Sequence, residues 1–152
     1  MLDSLIAGFE AALTLQNVMF ISLGLVIGII FGVLPGLGSV TAIALLVPIT
    51  FYMTPLAAIA FLVGVNKGGT SGGAVPAILL NAPGTPEAAA TARDGYPLAQ
   101  QGKPEKAMQM ALFSSVFGDT FSDIVIILLA APFADIALKF GPAEFTSIVL
   151  FS

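Results

Sequence analysis

Residues able to do chemistry are few and gathered at two places. One is Leu34-Pro35-Gly36-Leu37-Gly38-Ser39-Val40-Thr41, which sets two hydroxyls just after a proline-glycine interruption. The other is Gly64-Val65-Asn66-Lys67-Gly68-Gly69-Thr70-Ser71-Gly72-Gly73, continued by Ala74 to Leu80 and then Asn81-Ala82-Pro83-Gly84-Thr85-Pro86. Backbone N–H groups left open where a helix begins carry about half a positive charge and suit an anion. Gly36, Gly38, Ser39 and Thr41 at the first place, and Ser71, Gly72, Gly73 and Gly84 at the second, are therefore candidate contacts to an anionic ligand. Asn81 and Thr85 offer oxygens that suit the same ligand or a sodium ion. Lys67 is a candidate partner for a carboxylate, with a structural pairing to Asp119 or Asp123 as the plainer alternative.

Two other chemistries are weighed against this. Gly69-Thr70-Ser71-Gly72-Gly73 formally matches Gly-x-Ser-x-Gly, and Lys67 stands four residues before Ser71, so an intramembrane Ser–Lys hydrolase is conceivable. Glycine-rich runs generate that pattern freely, and no strand-turn-helix context accompanies it. A purely structural membrane subunit is the second alternative. Histidine and cysteine are both absent from the 152 residues, which removes the commonest general base, thiolate metal sites and disulfides. No cofactor is expected.

The composition states what must surround these residues. Hydrophobic side chains make up 57% of the chain and charged ones only 9%, against roughly a quarter charged in soluble domains. Such a chain cannot cover a water-facing surface. A net charge of −4 with five basic residues leaves no patch to neutralise a phosphate backbone, so nucleic acid is excluded as a partner and membrane lipid is the expected surroundings. No charged side chain occurs from residue 11 to 66, nor from 68 to 86. A hydrocarbon core about 30 Å thick needs roughly 20 apolar residues per helical crossing, and no strand-like alternation competes.

The expected fold is an all-α membrane protein, a polytopic helical bundle with discontinuous or re-entrant helices. Residues 1–14 read as an interfacial helix, with Leu2, Leu5, Ile6, Phe9 and Leu13 on one face. Residues 15–86 read as membrane helices with breaks at 35–38 and 64–73. Asn17 to Leu34 forms the clearest span, and its Gly24, Gly28 and Gly32, four apart, predict a close helix-packing groove. Residues 87–106 read as a polar loop turning at Asp94-Gly95-Tyr96-Pro97; its three basic residues assign it to the cytoplasmic side. Residues 107–152 read as membrane helices over Ala107 to Phe117 and Ile124 to Leu138, separated by a polar step. A further helix is expected to start near Gly141-Pro142 and to be cut short at Ser152, so the chain is expected to be a fragment or truncated form of something larger.

Four motifs in order, Gly32-Val-Leu-Pro-Gly-Leu-Gly38, Gly72-Gly73 through Ala77-Ile-Leu-Leu-Asn81 to Pro83-Gly84-Thr85-Pro86, Asp94-Gly95-Tyr96-Pro97 and Lys139-Phe-Gly-Pro142, cover nearly the whole chain. On these the chain resembles the large membrane subunit of the tripartite tricarboxylate transporters. The resemblance implies the N-terminal portion of a multi-pass protein of the bacterial inner membrane. It also implies a small transmembrane subunit and a periplasmic solute-binding protein as partners. The implied activity is uptake of tricarboxylates or related carboxylates, driven by an ion gradient, sodium being the expected ion. The family's glycine-rich motifs fall on Pro35 to Ser39 and Ser71 to Thr85. Lys67 departs from the uncharged residues that many relatives carry there. The combined expectation is alternating access around a carboxylate held by half-helix N-termini near Gly36 to Thr41 and Ser71 to Gly73.

Overall fold

The computed structural model describes residues 2–137 together with Gly141, Thr146, Ser147 and Leu150. Six helices are described: α1 Leu2–Ala12, α2 Leu15–Val33, α3 Gly38–Thr50, α4 Pro55–Leu80, α5 Ala88–Gln100 and α6 Pro104–Ala137. No strand occurs among the described residues, and the chain is an all-α membrane protein. Two compact units divide it, Met1–Phe113 and Ser114–Ser152. The restart expected at Pro142 lies outside the described residues.

In the first unit, α2 is the apolar span that composition demands, 19 residues long. The Asn17 amide closes the step from α1 by donating to the Ala11 carbonyl at 2.7 Å. Pro35 cannot donate to a continuing helix, and Gly36 and Gly38 adopt φ of 88° and 62°, in the left-handed region that favours glycine. The expected break therefore occurs, over residues 34–37, and α3 starts at Gly38.

The break expected at 64–73 does not occur. Those residues lie inside the uninterrupted 26-residue α4. Their glycines form a seam instead. β-carbons on Gly24, Gly28 and Gly32 would overlap the carbonyls of Phe61, Val65 and Gly69, while β-carbons on Gly64, Gly68 and Gly72 would overlap those of Ile21, Leu25 and Ile29. Partner numbers rise together along both helices, so α2 and α4 run parallel, with α3 returning between them. The physical reason is that packing, not water exclusion, holds helices together in lipid, and small residues four apart let the backbones approach. A helix in an apolar setting also keeps its own hydrogen bonds, which an unwound segment would forfeit. Phe61 and Val65 join Ala42 in the buried apolar cluster beside the seam.

The expected polar loop over 87–106 is also corrected. It is mostly α5, whose Ala88 and Ala92 are buried with Ala77 of α4. Asp94-Gly95-Tyr96-Pro97 lies within that helix rather than in a turn, because a β-carbon on Gly95 would come within 2.7 Å of the Ile78 side chain and glycine permits the contact. The two helices expected after the loop are one, α6, which runs through the polar step at Gly118 to Asp123. Ser and Thr mid-helix can return their hydroxyls to the preceding turn, as Thr120 does to the Val116 carbonyl at 2.8 Å.

Candidate functional site

The second true interruption follows α4. Asn81 ends the helix in the left-handed conformation, φ 54°, and the chain reverses, with the Ala82 N–H bonding the Pro76 carbonyl at 3.2 Å. Residues 81–87 then fold back along α4, where the Gly84 N–H donates to the Gly73 carbonyl at 3.3 Å. Gly84 fits against the Gly32 carbonyl at the end of α2, and its own carbonyl lies 3.3 Å from where a β-carbon on Gly38 would stand. The two interruptions meet where Gly84 approaches Gly38, 46 residues earlier in sequence.

Between them opens a cleft of about 350 Å³, lined by Gly36, Leu37, Gly38, Ser39 and Val40 on one side and Pro83, Gly84, Pro86 and Glu87 on the other. The start of α3 faces this space, and no side chain caps it. Its first amides can therefore serve an anion. Glu87 brings a carboxylate to the opposite wall, where it also favours the N-terminus of α5. Under the loop, Thr85 is 3% exposed and packs on Gly73, where a β-carbon would lie 2.8 Å from both Thr85 Oγ1 and Cγ2. Thr85 Oγ1 is the one buried side-chain oxygen or nitrogen lacking a hydrogen-bond partner among the described residues. Leaving such a group unsatisfied costs about 1–3 kcal/mol, so a hydroxyl there is suited to meeting something that enters.

The cleft gathers Gly36, Gly38, Ser39 and Gly84 at its surface, with Thr85 and Gly73 beneath. Thr41 lies one turn into α3. Gly72 faces Ile29 of α2 in the seam, and Asn81 is exposed at the C-cap of α4. Lys67 and Ser71 are on α4, half-buried. Ser71 sits in regular helix, not on a strand-to-helix turn, so the hydrolase pattern has none of its required geometry. The half-helix N-terminus expected at Ser71 to Gly73 is absent because α4 is continuous. Glu87 was the one charged lining residue that sequence reasoning assigned to solvent; its place directly after Pro86, inside the second interruption, was the available signal.

Helices apolar enough to cross a membrane, a glycine seam and a cleft built from interrupted chain define a helical membrane protein with a candidate site at its helix breaks. The chain belongs to the tripartite tricarboxylate transporter TctA family, whose family model matches residues 18–152. It is also 37% identical over 150 residues to an uncharacterized 52.8 kDa protein of Agrobacterium vitis encoded in the TAR-I ttuC' 3' region. That match takes in 99% of this chain and 30% of the relative, so the chain spans less than a third of the relative's length. No solved structure matches it.

Proposed function

We propose that this chain is part of the membrane subunit of a binding-protein-dependent secondary transporter in the bacterial inner membrane. It takes up tricarboxylates or related carboxylates together with sodium ions, by alternating access, and works with a small transmembrane subunit and a periplasmic solute-binding protein. The observation that carries this reading is Thr85 Oγ1, buried and unpartnered beneath a cleft that two helix interruptions build together. The α3 start supplies amides for a carboxylate group. Glu87, Thr85 Oγ1 and the loop carbonyls supply hard oxygens for the cation travelling with it. Because the two interruptions belong to different helices, a small relative shift of α3 and the 81–87 loop changes access to the cleft, and ligand binding biases that equilibrium.

The test is Thr85→Val, which keeps shape and removes the hydroxyl. In proteoliposomes containing the complete transporter, sodium-driven uptake of a tricarboxylate falls about tenfold or more, the scale of one lost buried hydrogen bond. Thr85→Ser restores it, and the melting temperature in detergent is unchanged or higher in Thr85→Val. Full uptake in Thr85→Val would falsify the assigned site.

A further inference from the structure

The seam also fixes the depth at which the cleft lies. Gly24 meets Phe61 and Gly64 meets Ile21, and the same pairing continues to Gly32 with Gly69 and Gly72 with Ile29. Leu15 is therefore level with Pro55, and Val33 with Gly73. The cleft adjoins the far end of this ladder, because Gly84 rests on Gly73 and the Gly32 carbonyl while Gly38 faces Gly84. α2, with 19 residues at about 1.5 Å each, is by itself nearly as long as a hydrocarbon core about 30 Å thick. Its two ends belong at the two boundaries.

Surface chemistry agrees at both ends. Beside the α2 start, the turn between α3 and α4 exposes Tyr52 by 95%, and tyrosine favours the headgroup level. At the other end, α5 packs on the part of α4 beyond Gly73, with Ala88 and Ala92 against Ala77 and Gly95 against Ile78. The outer face of α5 exposes Arg93, Asp94 and Gln100. A cleft at the bilayer midplane would put that charged face in hydrocarbon. It would also push Leu15, Val18 and Met19, all exposed and apolar, out of the hydrocarbon. A cleft at the boundary incurs neither cost, and Pro83, Pro86 and Glu87 of its wall are exposed, as an open mouth requires.

Basic residues tell the two sides apart. Arg93 stands on α5, and Lys103 and Lys106 follow that helix, whereas residues 1–20 and 51–60 at the opposite end include no lysine or arginine. Basic residues beside span ends mark the cytoplasmic face. We infer that the cleft lies at the cytoplasmic boundary of the bilayer and opens there, so this conformation presents the site to the cytoplasm. Depth and side rest on the seam, the α5 face and the charge pattern. Only the consequence rests on the transport function proposed above: this is the form that gives up the carboxylate, and loading from the opposite side needs a second conformation.

Cysteine is absent from this chain, so single cysteines report the side of access in the full-length transporter once any cysteine outside residues 1–152 is replaced. Val40→Cys and Pro86→Cys mark the two walls of the cleft, Gln100→Cys the α5 end and Tyr52→Cys the opposite end. The probe is a sulfonated, membrane-impermeant maleimide, applied to inside-out and right-side-out vesicles without carboxylate or binding protein. Val40→Cys, Pro86→Cys and Gln100→Cys react about tenfold faster in inside-out vesicles, and Tyr52→Cys shows the reverse, because a charged reagent crosses hydrocarbon poorly. Reaction of both cleft cysteines with a permeant maleimide alone overturns the boundary depth. Reaction from the Tyr52 side, or equally from both sides, overturns the opening. Faster labelling of Gln100→Cys in right-side-out vesicles overturns the cytoplasmic assignment. Cytoplasmic labelling of the cleft alongside full uptake in Thr85→Val keeps this placement and removes the proposed carboxylate site.

Discussion

Two glycine-rich stretches, 34–38 and 64–73, look alike in sequence and fold in opposite ways. The first stops a helix and the second lets one pass. In the first, proline removes a donor, Gly36 and Gly38 take left-handed angles, and Gly36 has nothing within 4 Å of where a β-carbon would be. In the second, every glycine keeps helical angles and faces a neighbouring backbone or the Thr85 loop. Glycine serves conformational freedom in one case and close approach in the other. The comparison teaches that in lipid a glycine run needs proline beside it, or φ demands, before it reads as a break. Four-residue spacing matched by a second helix reads as a seam.

The largest expected effect comes from the seam. Gly28→Leu puts a side chain where the Val65 carbonyl lies, with the Gly69 N–H only 2.8 Å from its β-carbon. Neither backbone can yield without parting α2 from α4. Overpacking of this kind costs about 3 kcal/mol or more, read as a large fall in thermal stability of the detergent-purified protein. Unchanged stability would mean that the seam does not hold the helices.

A smaller effect separates capping from ligand binding at Asn81. Its left-handed φ and exposure fit a helix cap, and it does not line the cleft. Asn81→Gly therefore retains stability and, in the complete transporter, the proposed carboxylate uptake, whereas Asn81→Leu loses about 1 kcal/mol through backbone strain. Loss of uptake in Asn81→Gly would return the amide to the list of ligand contacts. The smallest effect belongs to a glycine of neither kind. Gly118 lies mid-α6 with nothing within 4 Å, so Gly118→Ala shifts stability by no more than about 1 kcal/mol, in the stabilising direction. A destabilising result would reveal a backbone contact there in the assembled membrane protein.

Much of the fold was legible from local rules. The 11–66 stretch without charge required membrane helices, and Pro35 with Gly36 and Gly38 located the first interruption to within a residue. Gly24, Gly28 and Gly32 were readable as a packing groove. Their counterparts Gly64, Gly68 and Gly72 carried the same spacing but were masked by the interleaved Gly69, Gly73, Lys67 and Ser71. The candidate site was half legible: Gly36, Gly38, Ser39, Gly84 and Thr85 converge, while Gly72 and Asn81 have packing and capping places. Glu87 was hidden among other charges, since nothing local distinguishes a solvated carboxylate from one at a cleft wall.

The sequence by itself determined the solvent, the helical class and the position of the first break, because charge, hydropathy and proline act on the residue that carries them. Tertiary structure alone decided which glycines bend the chain and which admit a neighbour, and that Thr85 would lie buried without a partner. Those outcomes depend on what stands opposite an empty Cβ or a hydroxyl, and that neighbour comes from a different element of the chain.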